Sequence, residues 1–192
     1  SFPTRRSSDL GKLLKELTQK ARDSKCDLPE NRPLRALILP HAGYIYSGLT
    51  AAHSVHALQG CCFDKIVLLG PDHRTGFKNC AVSSFKAYAT PLGNIKVHDQ
   101  SAQLKNSSPI FSFLPQAEQK EHCLEVALPF LQYNLKDFEI IPIIMGKTRI
   151  KPTVRALDPL LDQDTLLLVS SDLSHYLSYA QARERDRETI NM

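Results

Sequence analysis

Three short apolar runs each empty into a turn that carries side chains able to do chemistry. Residues 34–39 lead through Pro40 to His41, residues 65–69 lead through Gly70, Pro71 and Asp72 to His73, and residues 166–169 lead through Ser170 and Ser171 to Asp172 and then His175. In open α/β sheets ligands bind beyond the carboxyl ends of the strands, so the three ends are expected to share one rim. Neutral imidazole suits iron, zinc and copper, and a rigid sheet rim fixes ligand geometry. Asp172 would complete a face of two histidines and one carboxylate, and His175, three residues further on, lies on the same side if that turn is helical. The plainer alternatives stand beside this one: each histidine hydrogen-bonds a loop carbonyl, and Asp172 caps the turn that follows it. His53, His56 and His98 lack such a setting and read as structural or solvent-facing, while Tyr44 and Tyr46 either line a pocket or pack the turn.

Positioning these residues requires a parallel sheet. Residues 11–25 repeat Leu13, Leu14, Leu17 and Ala21 at helical spacing and read as a covering helix. Residues 34–39 form a buried strand, Ser47 caps a helix reaching Leu58, and residues 66–69 form the next strand. Strand, helix and strand make a right-handed βαβ unit, which places His41 and His73 on one rim. Residues 80–88, a turn at 91–94 and residues 95–97 read as an antiparallel excursion, and residues 99–105 as a brief helix. Residues 106–119 read as an irregular surface segment because of Pro109 and Pro115. Residues 121–134 carry a helical leucine stripe that Pro129 should kink or divide. Residues 138–145 are a buried strand, 151–161 a helix broken near Pro159, 165–169 the strand that feeds Asp172, and 179–192 a charged helical pattern. The sum is an α/β domain with a mixed, mostly parallel central sheet and helices on both faces.

The first ten residues resemble, codon by codon over nine of them, the translation of a short-read sequencing adapter. Residues 1–10 are therefore expected to be non-native and to pack against nothing, with the domain running over 11–192 and stopping short of its native carboxyl end. Of the net charge of +4, Arg5, Arg6 and Asp9 supply +1, and the +3 that remains is too mild to imply nucleic acid. The five cysteines, Cys26, Cys61, Cys62, Cys80 and Cys123, are odd in number and form no C-x-x-C pair. With no long apolar span, this favours a reducing, cytoplasmic setting and no membrane partner.

Several motifs carry a more specific resemblance: Pro-His-Ala-Gly-Tyr-Ile-Tyr-Ser-Gly at 40–48, Leu-Gly-Pro-Asp-His at 69–73, Thr-Pro-Leu-Gly at 90–93, Glu121 and His122 with Glu125, Leu128 and Pro129, Ile-Ile-Pro-Ile at 140–143, and Ser-Ser-Asp at 170–172 with His175. In this order they resemble the MEMO family, which includes the bacterial and archaeal proteins called AmmeMemoRadiSam system protein B. The resemblance implies a fold similar to the class III extradiol (LigB-like) dioxygenases, with a metal-binding cleft at the strand ends. It matches His41 and His73 to the family's two metal-binding histidines and Asp172, His175 and His122 to residues lining the cleft. It further implies that a cysteine in a later Cys-Gly segment, beyond Met192, supplies the third ligand. Cys123 stands where relatives usually carry serine, and its place at the start of a helix makes it a poor substitute.

The first reading is then a protein that binds iron(II) or copper through His41 and His73, with His122, Asp172 and His175 as candidate catalytic residues. The resemblance also implies a modification system shared with a radical SAM enzyme and an AMMECR-like protein, acting on an unknown small molecule or peptide. A non-catalytic peptide- or partner-binding protein using the same cleft is the alternative, and a ring-cleaving dioxygenase is a third.

Overall fold

The computed structural model describes residues 7–24 and 33–191. Expectations that fall on residues 1–6, on Lys25, Cys26 and Pro29 and on Met192 lie outside them. Six strands form the central sheet: β1 (Ala36–Leu39), β2 (Lys65–Pro71), β3 (Cys80–Val82), β6 (Phe111–Phe113), β7 (Glu139–Met145) and β8 (Thr165–Ser170). β4 (Ala87–Thr90) and β5 (Gly93–Lys96) pair separately as an antiparallel hairpin, closed where Gly93 takes φ of 126°, a conformation that a side chain would oppose. The sheet order is β1-β8-β2-β7-β3-β6. β1, β8, β2 and β7 run parallel, and only the β7–β3 pair is antiparallel. This is the mixed, mostly parallel sheet expected from the run of apolar segments.

The period of two along each strand divides the interior into two cores. Ile66, Leu68, Ile140, Leu166 and Leu168 point into one, shared with α1 (Ser7–Asp23), α2 (Tyr44–His56) and α5 (Leu128–Asn134). Val67, Leu69, Ile141 and Ile143 point into the other, where they meet Leu104 of α3 (Gln100–Ser107), Leu157 of α6 (Ile150–Leu157) and Leu160 of the 3-10 turn Asp158–Leu160. Cover on this second face thins toward the edge: Ile143 and Leu69 are buried, Val169 beside Leu69 is partly so, and Ile38 beside Val169 is 61% exposed. The last two helices are α4 (Pro115–Lys120) and α7 (Tyr179–Ile190), and α7 buries none of its residues.

Several boundaries differ from expectation. Residues 7–10 are not detached: they open α1, and Leu10 is fully buried beside Leu14. Burying one leucine contributes about 1.5–3 kcal/mol, reason enough for the helix to extend over it. α2 starts at Tyr44 rather than after Ser47, whose hydroxyl instead donates to the Ala42 carbonyl at 2.9 Å. The segment 106–119, expected to be irregular, holds β6 and α4. Ile110 and Phe111 are buried, and Pro115 opens α4, where its missing N–H costs nothing. The helix expected over 121–134 begins only at Leu128, with Pro129 in its first turn and residues 123–127 in turns. A helix running through Pro129 would lose a backbone bond and meet a steric clash, so the chain is free to turn before it.

Candidate functional site

β1, β2 and β8 end on one rim, and each releases its reactive residue two positions past its last paired residue: His41 after Leu39, His73 after Pro71, Asp172 after Ser170. The His41 and His73 rings lie 5.1 Å apart, centroid to centroid, at 75° to each other. His122, from the turn before α5, joins them at 5.8 Å from His41 and 5.5 Å from His73. Two imidazoles sharing one ion at metal–nitrogen distances of about 2.0–2.1 Å would hold their centroids roughly 5 Å apart. The His41–His73 pair meets that spacing, and His122 stands wider. Asp172 bridges the first strand end to the third: Oδ1 accepts the backbone N–H of His41 at 2.8 Å and of Ala42 at 3.2 Å, while Oδ2 lies 3.6 Å from His41 Nε2. It therefore ties down the turn of β1 instead of capping its own. His175 reaches Asp172 Oδ2 at 3.7 Å without a helical turn, and its side chain is 57% exposed.

Each ring is held from behind. His41 is buried, with Nδ1 at 2.9 Å from Ser170 Oγ. His73 Nδ1 lies 2.9 Å from Glu121 Oε1, and Glu121 Oε2 accepts the His73 backbone N–H at 2.7 Å. The same Oε1 accepts the His122 backbone N–H at 3.0 Å and lies 3.2 Å from His122 Nδ1. Burial alone would raise the Glu121 carboxyl, but the N–H of His73, its ring and the N–H of His122 outweigh burial and hold it below the ordinary glutamate value. The Glu121 carboxylate accepts, which makes His73 Nδ1 the donor and, in the neutral ring, puts the lone pair on Nε2. Burial lowers the His41 pKa more than the Asp172 carboxylate raises it, and the neighbouring His73 and His122 push the same way as burial.

His73, Glu121 and Cys123 form a compact group that could hold a metal ion, their ligand atoms lying within 4.8 Å of one another. Cys123 is not at the start of a helix, as expected, but in the turn before α5, fully buried against β2. Its thiol donates to the Pro71 carbonyl at 3.2 Å, and burial pushes its pKa up. An ion in this group must displace a thiol proton and compete for the lone pairs of Glu121 with the N–H groups it already accepts. An ion on the outward nitrogens of His41 and His73 leaves those bonds in place and uses them.

Sequence reasoning gave no role to Glu121 or Ser170. The available signals were a carboxylate directly before His122 and a polar residue closing the apolar run of β8. The histidines read as structural fit that reading in part: His98 Nδ1 accepts the Gln100 N–H at 3.2 Å, and His53 and His56 lie half-buried on α2. Tyr44 packs, its hydroxyl donating to the Val126 carbonyl at 2.8 Å and its ring against Phe130, whereas Tyr46 is 82% exposed.

Fold and site together define an α/β protein of the extradiol dioxygenase-like kind with a histidine cluster at the carboxyl ends of its parallel strands. The family described as Memo-like protein matches residues 1–192, and the chain belongs to that family. It is 35% identical over 184 residues to a MEMO1 family protein of Aquifex aeolicus, covering 92% of this chain and 68% of that one. It is 34% identical to a MEMO1 family protein of Methanobrevibacter smithii, covering 78% of this chain and 56% of that one. A MEMO1 family protein of Saccharolobus solfataricus is 36% identical, with 80% of this chain and 57% of that one covered. The chain thus spans between about half and two thirds of the length of these relatives. Among the described residues no helix is long and apolar enough to cross a membrane.

Proposed function

We propose that this chain carries the metal site of a Memo-family protein, with iron(II) or copper held by Nε2 of His41 and His73. The observation that supports this best is the pair of rings at 5.1 Å, each with its Nδ1 already engaged by the protein, on Ser170 and on Glu121. The third ligand in the full-length protein is a thiolate from polypeptide that the relatives carry in addition to the matched stretch. Where that thiolate is absent, Asp172 is the carboxylate nearest His41 and completes the face. A bound ion would supply Lewis acidity and open positions for oxygen or substrate. His122 and His175 flank the site and are the imidazoles placed to carry protons to and from it. The reading extends to a cytoplasmic modification system with a radical SAM enzyme and an AMMECR-like protein, acting on a small molecule or peptide.

Anaerobic calorimetric titration with iron(II) tests the site. His41→Ala and His73→Ala each abolish binding, whereas Cys123→Ser leaves it unchanged. Loss of binding in Cys123→Ser with retention in His41→Ala would move the ion to the His73, Glu121 and Cys123 group. A longer form bearing the additional polypeptide binds about 10–100-fold more tightly, the scale on which even supporting partners alter metal affinity.

A further inference from the structure

We propose that Ser170 is a positioning residue that locks His41 in its Nδ1–H tautomer, so that Nε2 keeps its lone pair on the side of Asp172. The inference deepens the metal-binding reading, yet its first test needs no metal. Ser170 Oγ has two close neighbours among the described residues, the Cys123 carbonyl at 2.5 Å and His41 Nδ1 at 2.9 Å. A hydroxyl has one proton to give, and a carbonyl can only accept. The shorter contact takes the proton, so Ser170 Oγ must accept from His41 Nδ1, which must then carry hydrogen.

The other tautomer satisfies less. With the proton on Nε2, Asp172 Oδ2 at 3.6 Å lies beyond hydrogen-bond reach, while Asp172 Oδ1 already serves the N–H groups of His41 and Ala42. The Ser170 hydroxyl would have to turn toward Nδ1 and abandon the Cys123 carbonyl. Ser170 and His41 are both buried, so water offers neither a substitute partner. The lock joins three separate segments, the turn after β1, the end of β8 and the turn before α5. It places the fate of the His41 lone pair with a serine 129 positions away in sequence.

Long-range proton–nitrogen correlation spectra of histidine-labelled, metal-free protein above neutral pH read the tautomer directly, with His41 identified by its loss in His41→Gln. The wild type shows a single Nδ1–H pattern for His41. Ser170→Ala converts it to the Nε2–H form or a mixture, and Ser170→Thr, which keeps the hydroxyl, preserves it. An Nε2–H pattern in the wild type overturns the proposal without recourse to any variant, and so does an unchanged pattern in a folded Ser170→Ala. Iron(II) titration gives the second readout: Ser170→Ala weakens binding about 10–100-fold, and Ser170→Thr restores it. A switched tautomer with unaltered affinity would remove the positioning role. A locked tautomer in a wild type that binds no ion would sink the metal reading while leaving the lock intact.

Discussion

His41 and His73 leave their strands by the same step, two residues beyond the last paired position, and are held by opposite means. The His41 ring is buried and its holder is a neutral hydroxyl. The His73 side chain is 40% exposed, and its holder is a carboxylate that is itself only 1% exposed. The difference follows from where charge is tolerable. A carboxylate also stands beside the buried ring, Asp172 at 3.6 Å from His41 Nε2, but it does not hold the ring, and burial, which makes a charge inside costly, outweighs its pull. Behind an exposed ring the carboxylate can be ionised, because N–H groups of His73 and His122 surround it and water receives the far side of each imidazole. One ring is held by a neutral group, the other by an ionised one.

The most severe way to break this contrast is Glu121→Ala. It strips the acceptor from two backbone N–H groups and from the His73 ring, and should lower stability by roughly 3 kcal/mol in urea unfolding, about the cost of two buried donors left unpaired. Ser170→Ala removes one hydroxyl between two groups and should cost about 1–2 kcal/mol in the same assay. His122→Ala, at a side chain 39% exposed, should cost less than about 1 kcal/mol.

Acid sharpens the comparison rather than breaking it. His41 has a folded pKa below its ordinary 6.5, so the unfolded chain binds the proton first and stability falls as pH drops from 6.5 through the folded value. Glu121 has a folded pKa below its ordinary 4.5, so its contribution is intact above 4.5 and is lost only as pH falls through the lower folded value. Thermal melts should show a decline that begins below pH 6.5 and a further loss below pH 4.5. Ser170→Ala should perturb the upper loss, and Glu121→Gln should shrink the lower one, to which Asp72 and Asp162 also contribute.

The strand ends were legible in the sequence because each apolar run is continuous and stops at Pro40, Gly70 or Ser170, and a βαβ unit fixes parallel neighbours. The holders were not legible. Glu121 meets His73 across 48 positions, and Ser170 meets His41 across 129, so no local pattern records either bond. Helix edges failed for a different reason. Leu10 and Tyr44 join their helices because tertiary burial rewards them, whereas the leucine stripe after Glu121 gave the right face but could not show that Pro129 delays the helix to Leu128. The strand Phe111–Phe113 was hidden by the prolines that bracket it, although its alternation of phenylalanine and serine was present to be read.

Gly70 sits in the last stretch of β2, and a methyl group built there would meet Cys123 Sγ at 2.5 Å and Leu124 Cδ2 at 2.6 Å. The turn bearing Glu121 and His122 rests on β2 at a clearance that one missing carbon provides, and Cys123 acts there as a spacer. Positions 70 and 123 are in that sense one coupled unit: any gain of volume at the first demands a loss at the second. Gly70→Ala alone should push the turn outward, at a cost of about 1–3 kcal/mol, and drag Glu121 away from both rings. Adding Cys123→Ala should recover only part of that cost, because Leu124 still crowds the new methyl. The size of the recovery in a double-mutant cycle measures how tightly the spacing of the histidine cluster depends on the bulk of the side chain at position 123.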